Sequence, residues 1–454
     1  MSEEQTARGK LVSRVLWAIF LIPGLMQLAL LCSAMFRRWG FSYDLEWMEG
    51  GLLTHAQRIA DGAGIYGEPS MDFIPYLYTP LYPGVLALFE PVFGIGYGVG
   101  RAISIITTLA LCALLVVIVR REGRDAFPGK SPISAGKLAW IGGFCSIGFF
   151  SATYPWVEGW YDLVRADSMF MLMVVFGLFG VRIWARASDR AGQQKLAFSI
   201  ALLAFSFFAK QTGILFVATG GFMILALNWR RVPLYVGVAG GIGLGGTWIL
   251  NHATNGWFWV YIYKTHQHHD FNMDRFYKSF GNMLWHWSAM TYVIFAGVLI
   301  ALLALAFFRK LPGPARALAI WFPVYCVSVL VGAVGWGTEF AHFNAYIPAM
   351  VFGALCAGLS ILSIASCIQL WLDRSNKTHG AFLKRGASLA ALSIAAVLGV
   401  QIIFARWTPG TFVPSAKEER AGAALIDTLR AIEGDILIPY HPWYAHLAGK
   451  KTQV

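Results

Sequence analysis

"VLWAIFLIPGLMQLALLCSAMFRRWGFSYDLEWMEGG", residues 15–51, joins a long apolar run to a cluster of acids. Its opening, Val15 to Met35, is an apolar run of the ~20 residues that a membrane-spanning helix needs. Soon after it, Asp44, Glu46 and Glu49 place three carboxylates within six positions. The run decides the fold class, and the acids raise the functional question.

The first pattern recurs along the chain. Hydrophobic residues make up 57% of the sequence and charged residues 13%, with a mean hydropathy of +0.58, far from ordinary soluble usage. Apolar runs near 15–35, 102–119, 138–154, 168–186, 195–208, 211–228, 232–251, 288–308, 317–334, 345–371 and 387–405 predict an all-α polytopic membrane protein with about 11 transmembrane helices. The first run is long and lacks a small-residue cleavage site, which argues against a signal peptide. Cys32, Cys112, Cys145, Cys326, Cys356 and Cys367 lie in apolar runs without a CxxC pair, so they read as small buried hydrophobes.

A net charge of +12 raises nucleic acid as a partner. Its distribution points to the bilayer instead. With the N-terminus cytoplasmic, the inner segments hold 21 Lys/Arg against 6 Asp/Glu, and the outer ones 15 against 18. That asymmetry follows the positive-inside rule. The stretch "PLYPGVLALFEPVFG" (80–94) tests the map, because counting it as a span would move "RREGR" (120–124) outside. It reads as an interfacial or half-membrane helix.

This gives a multi-span membrane domain over 1–405 and a small outer tail over 406–454, which either packs on the membrane part or begins a longer domain. The large outer loops are 36–101 and 252–287. In the first, Leu52, Leu53, Ala56 and Ile59 share one helical face, predicting a helix lying on the membrane that ends at Asp61-Gly62. In the tail, Ala421 to Ile432 reads as an amphipathic helix closed by Gly434, and "DILIPYH" (435–441) as a strand.

The order of several short motifs resembles the GT-C glycosyltransferases, in the branch of protein O-mannosyltransferases and aminoarabinose transferases. These are the acids after the first span, "DG..IY" (61–66), "YTPLYP" (78–83) leading to Phe93-Gly94, "RADSMFMLM" (165–173), "AKQTG" (209–213) and "FWVYIYKTHQHHDFNMDRF" (258–276). The sequence departs from the branch in two places. Asp44-Leu45-Glu46 stands where aminoarabinose transferases carry adjacent Asp-Glu, and Tyr78-Thr79-Pro80 where they carry acid-Lys-Pro.

The resemblance implies a donor sugar on polyprenyl phosphate, used at the outer face of a bacterial inner membrane, with a lipid, glycan or protein acceptor. Such a reaction needs a base for the acceptor hydroxyl and a cation for the leaving phosphate. By the resemblance Asp44 is the base, with Glu46 its partner or a metal ligand. Lys210, at a tight bend, and Arg165 are the phosphate-binding candidates. Glu49, Asp167, Tyr78 and His342 are further site candidates. Plain structural readings stand beside these: solvated loop acids, Asp167 as a helix N-cap, and Lys210 snorkelling from a helix end. The cofactor is left open between none and a divalent metal ion, for which His266, His268 and His269 are the densest ligand cluster, although loop histidines are more often solvated. A polysaccharide polymerase or lipid-linked ligase, a transporter and a non-catalytic subunit are the alternatives. A transporter would put charge near the bilayer midplane, whereas here the acids gather at outer boundaries.

Overall fold

The computed structural model describes residues 17–124, 135–374 and 386–453. The expected first span begins two residues before them. All eleven expected spans are helical: Ile22–Arg38, Tyr97–Glu122, Ala135–Ala152, Asp167–Trp184, Arg190–Ala209, Gly213–Asn228, Val232–Ala253, Ser288–Phe308, Gly313–Gly337, Ile347–Arg374 and Gly386–Phe404. Among the described residues eight helical stretches are long and apolar enough to cross a membrane, one of them Gly213–Ala253, which is two helices joined through the short turn Trp229–Arg231. The chain is a multi-pass membrane protein. Leu81–Phe93 is a shorter apolar helix of 13 residues, about 20 Å long at 1.5 Å per residue. A hydrocarbon core is ~30 Å thick. Leu88, Phe89, Val92 and Phe93 are exposed on it.

The chain divides into two compact units. One comprises, among the described residues, 17–32, 112–124, 135–158, 272–374 and 386–408. Its centre is the helix Ile347–Arg374, buried without interruption from Ile347 to Cys367. Ala135–Ala152, Ser288–Phe308, Gly313–Gly337 and Gly386–Phe404 pack around it. Small residues permit this crowding, as they do between membrane helices generally. A Cβ on Gly358 would fall 2.2 Å from Ser146 Oγ and 2.4 Å from the Gly142 carbonyl oxygen.

The other unit comprises 33–111, 159–271 and 409–453. It contains the 36–101 loop, the paired helices Asp167–Trp184 and Arg190–Ala209, the helices to Ala253, the segment 257–271, and the tail. The helix Arg190–Ala209 opens on Asp189, whose carboxylate accepts from Gly192 N–H at 3.0 Å. It closes at Lys210, whose extended backbone turns the chain into Gly213–Asn228. The expected tight bend is there.

Three expectations are corrected here. The helix Glu49–Ala60 forms where the pattern asked for one and stops at Asp61 with Gly62 at φ +72°. Its apolar face, however, is covered by protein: Leu52, Leu53 and Ala56 are buried. Aromatic residues of the 73–76 segment and the tail pack on this helix, with the Phe73 and Tyr76 rings against His55 and Trp443 close to Gly50. The stretch 435–441 forms no strand, because no neighbouring strand offers it a ladder; among the described residues there is none anywhere. Instead Ile436 and Trp443 anchor the tail by burial. Third, Asp167 is not an N-cap. It is the first residue of its helix, behind Ala166, and its side chain goes to Lys210. The tail helix Ala416–Ala431 does carry a capping box, between Ser415 and Glu418.

Candidate active site

The acidic loop is held in shape by an arginine from the start of an apolar helix. Arg101 is fully buried, and a buried guanidinium needs its donors satisfied. Its Nη1 and Nη2 donate to the Phe41 and Tyr43 carbonyls at 2.5 and 2.6 Å, fixing the chain just before Asp44. Its Nε and Nη2 donate to Glu49 Oε1 and Oε2 at 3.1 and 2.7 Å. Glu49 also accepts from the backbone N–H groups of Leu45 and Val164, at 2.7 and 2.8 Å. All its bonding capacity is spent on architecture. Glu49 therefore positions the loop and presents nothing to a substrate.

With the loop pinned at both ends, Asp44 and Glu46 diverge. Asp44 Oδ1 accepts from Gly50 N–H at 2.9 Å, and Oδ2 lies 2.7 Å from Nδ1 of His441, in the tail. Only 2% of the Asp44 side chain is exposed. Burial pushes its carboxyl above the ordinary carboxylate range, against the pull of His441. The hydrogen bond that its Nδ1–H donates to Asp44 raises the His441 imidazole above its usual value. Tyr444 stacks on the His441 ring at 5.1 Å and 22°. Close approach of backbone makes Gly50 necessary, since a Cβ there would lie 2.9 Å from Trp443 Cβ and 3.2 Å from Asp44 Oδ1.

Glu46 meets Arg165, with Oε2 and Nη1 3.2 Å apart. Arg165 Nη2 donates to the Tyr78 hydroxyl at 2.9 Å, and the guanidinium also lies over the Trp160 ring at 4.6 Å. Burial works against the charge on Arg165. Tyr78, Glu46 and Asp167 outweigh it and leave the guanidinium more firmly protonated than usual. Asp167 Oδ1 accepts from Lys210 Nζ at 2.5 Å, and the lysine keeps 28% of its side chain exposed. Gln211 next to it donates to the Leu77 carbonyl at 2.6 Å and meets His266 Nε2 at 3.2 Å.

Asp44, Glu46, Glu49, Tyr78, Arg165, Asp167, Lys210 and His266 thus lie in one unit on segments far apart in sequence, where the charge of Glu46 also acts on His441 and that of Asp167 on Arg165. The histidine cluster does not form a ligand set. His266 is turned to Gln211 and Leu77, with His269 edge-on to its ring at 5.1 Å. Among the described residues no three His, Cys, Asp or Glu come together to hold a metal, so no step is drawn through one. His342 belongs to the other unit, where its Nδ1 lies 3.5 Å from Glu158 Oε2.

Sequence reasoning missed five participants. Arg101 carried a signal, because a cation at the mouth of a span needs a partner. Arg38 and Asp162 form a second buried pair, at 2.5 and 2.7 Å, which ties the end of the first span to the segment before Arg165. Gln211 lies inside "AKQTG", where the reading went to the lysine, and His441 carried no local signal. "IPYHPWY" (438–444) reads as an aromatic loop, and its partner lies 397 positions away.

The long apolar helices and the ion pairs beside them define a class: a polytopic membrane protein with acids held against cations near the ends of its helices. No family of known sequences and no curated protein matches this sequence. Among solved structures the chain is similar to ArnT from Cupriavidus metallidurans bound to undecaprenyl phosphate, at 12% identity and a TM-score of 0.56 over 95% of this chain and 84% of that one. It is similar to the same protein in the apo state, at 12% identity and 0.54, over 97% and 85%. Arabinosyltransferase EmbB from Mycobacterium smegmatis matches at 13% identity and 0.46 over 87% and 42%; at that score it carries no argument. What the chain shares with the ArnT structures is their fold.

Proposed function

We propose that this protein is a glycosyltransferase that moves a sugar from a polyprenyl-phosphate-linked donor to an acceptor hydroxyl at the outer face of a bacterial inner membrane. One observation carries the reading. One unit holds cations paired with acids, Arg165 with Glu46 and Lys210 with Asp167, and a buried carboxylate paired with an imidazole, Asp44 with His441, the imidazole feeling the charge of Glu46. The fold likeness to ArnT, solved with undecaprenyl phosphate bound, supports a lipid phosphate as the donor's leaving group.

The chemistry follows from these roles. A phosphate departs readily once its growing negative charge is met. Arg165 and Lys210 supply that charge from a partly dehydrated setting, where it is worth more than in water. Lys210, the more exposed of the two, can leave Asp167 for a phosphate oxygen; Arg165, stacked on Trp160 and bonded to Tyr78, is the fixed one. The Asp44–His441 pair takes the acceptor's proton as its oxygen attacks the anomeric carbon. Attack in line with the departing phosphate inverts that carbon. The acceptor is a lipid, a glycan or a protein.

Native mass spectrometry of the purified protein with undecaprenyl phosphate tests the donor half, and glycolipid profiles of cells with and without the gene test the transfer. Failure of wild-type protein to bind the lipid phosphate, together with unchanged profiles, would end this reading.

A further inference from the structure

The geometry points to His441 Nε2 as the atom that takes the acceptor's proton, with Asp44 the positioning carboxylate behind it. This rests on the transferase reading above and says which member of the pair touches the substrate.

Asp44 is badly placed to meet a hydroxyl. Oδ1 is taken by Gly50 N–H and Oδ2 by His441 Nδ1, at 2.9 and 2.7 Å, and 2% of the side chain reaches solvent. His441 is the opposite case, with 38% of its side chain exposed. A carboxylate only accepts, so it draws the imidazole proton to Nδ1 and leaves the Nε2 lone pair outward of that bond. Among the described residues no partner occupies Nε2. The ring plane is fixed as well: Tyr444 stacks on it and is itself braced edge-on by Tyr43 at 6.1 Å. Behind the histidine, Pro442 and the buried Trp443 lock the backbone against the helix that begins at Glu49. An imidazole held by a buried carboxylate through one nitrogen, with the other free, is the arrangement a general base requires.

The step balances. The acceptor O–H bond breaks and its proton passes to Nε2. The oxygen's electron pair forms the new bond to the anomeric carbon, while the old carbon–oxygen bond breaks and its pair leaves on the polyprenyl phosphate. His441 becomes an imidazolium, stabilised by Asp44, and returns its proton to water. The groups that face the imidazole are Asp44, Glu46 and Tyr444, and Asp44 in turn faces Glu49, Tyr97 and Tyr444.

The test uses the full chain in lipid nanodiscs, with turnover of a polyprenyl-phosphate sugar measured against pH. His441→Ala should lose about 10²–10⁴-fold in kcat with the donor KM little changed, and added imidazole should restore part of it. His441→Gln, closer in shape, should be as slow but without rescue. Wild type should show an acid limb above the ordinary imidazole value of about 6.5. In Asp44→Asn that limb should move down, because the charge that raises it is gone. A burial role alone would leave the limb where it was. An active wild type beside fully active His441→Ala overturns the assignment, as does an Asp44→Asn enzyme whose limb does not move. A wild type that turns over no polyprenyl-phosphate sugar overturns the transferase reading instead, and this assignment with it.

Discussion

Glu49 and Arg101 form a two-pronged ion pair at 2.7 and 3.1 Å, from which both side chains are wholly excluded from solvent. Of the three acids that open the first loop, Glu49 is the one on which the shape of the others depends. Buried pairs add little over an apolar isostere, but breaking one strands a charge.

That asymmetry makes Glu49, among the three acids, the one whose loss should cost the most stability. With Arg101 left uncompensated, Glu49→Gln should cost about 3–5 kcal/mol of stability. Thermal unfolding in detergent would read it as a large drop for Glu49→Gln and a small one for Glu46→Gln. Equal, small drops would return Glu49 to the list of free loop acids.

Lys210→Ala should leave insertion and folding intact, since the lysine is partly exposed at a bend, but should weaken undecaprenyl phosphate binding strongly. Lys210→Arg keeps the charge and should keep part of the binding, with altered geometry. Full binding by the alanine variant, read by native mass spectrometry, would reduce Lys210 to the partner of Asp167.

Arg165→Lys is expected to behave as a poor substitute. A lysine cannot donate to Glu46 and Tyr78 from one plane while lying over Trp160. Turnover should fall at least tenfold, about 1.4 kcal/mol in the barrier, and the fall should appear in kcat more than in KM. A lysine variant at wild-type rate would show that the planar fork is unnecessary.

Gly50→Ala probes the docking of the tail. Its added methyl would meet both Trp443 and Asp44, so either the tail or the loop must shift. Limited proteolysis should cut the variant within 409–453 under conditions where wild type is spared. Unchanged protection would mean that the tail adjusts without releasing His441.

The topology read from charge makes a separate prediction. A reporter fused after Arg124 should sit in the cytoplasm and one near His268 outside. An outward Arg124 reporter would make Leu81–Phe93 a full span and reverse every later segment.

The sequence by itself determined the fold class and the positions of all eleven long helices. Each apolar run is a local property: its length and composition decide against water whatever else the chain does. Pro80 to Gly94 was legible as a short helix for the same reason. Candidate residues were legible as types, because acids and cations clustered at span ends are expensive and therefore conspicuous.

Their partners were not legible. Asp44 meets His441 across 397 positions, and Lys210 meets Asp167 across 43; no local pattern encodes such distances. The face of Glu49–Ala60 was read correctly as apolar, yet whether lipid or protein covers it depends on where the tail docks. The histidines at 266, 268 and 269 are the densest ligand cluster in the sequence, but the fold turns His266 to Gln211 and Leu77 and brings no third ligand to it and His269 among the described residues. Which carboxylate is structural, which is buried behind a histidine, and which holds an arginine was decided only by the tertiary structure, because burial and hydrogen-bond partners are properties of the packed chain.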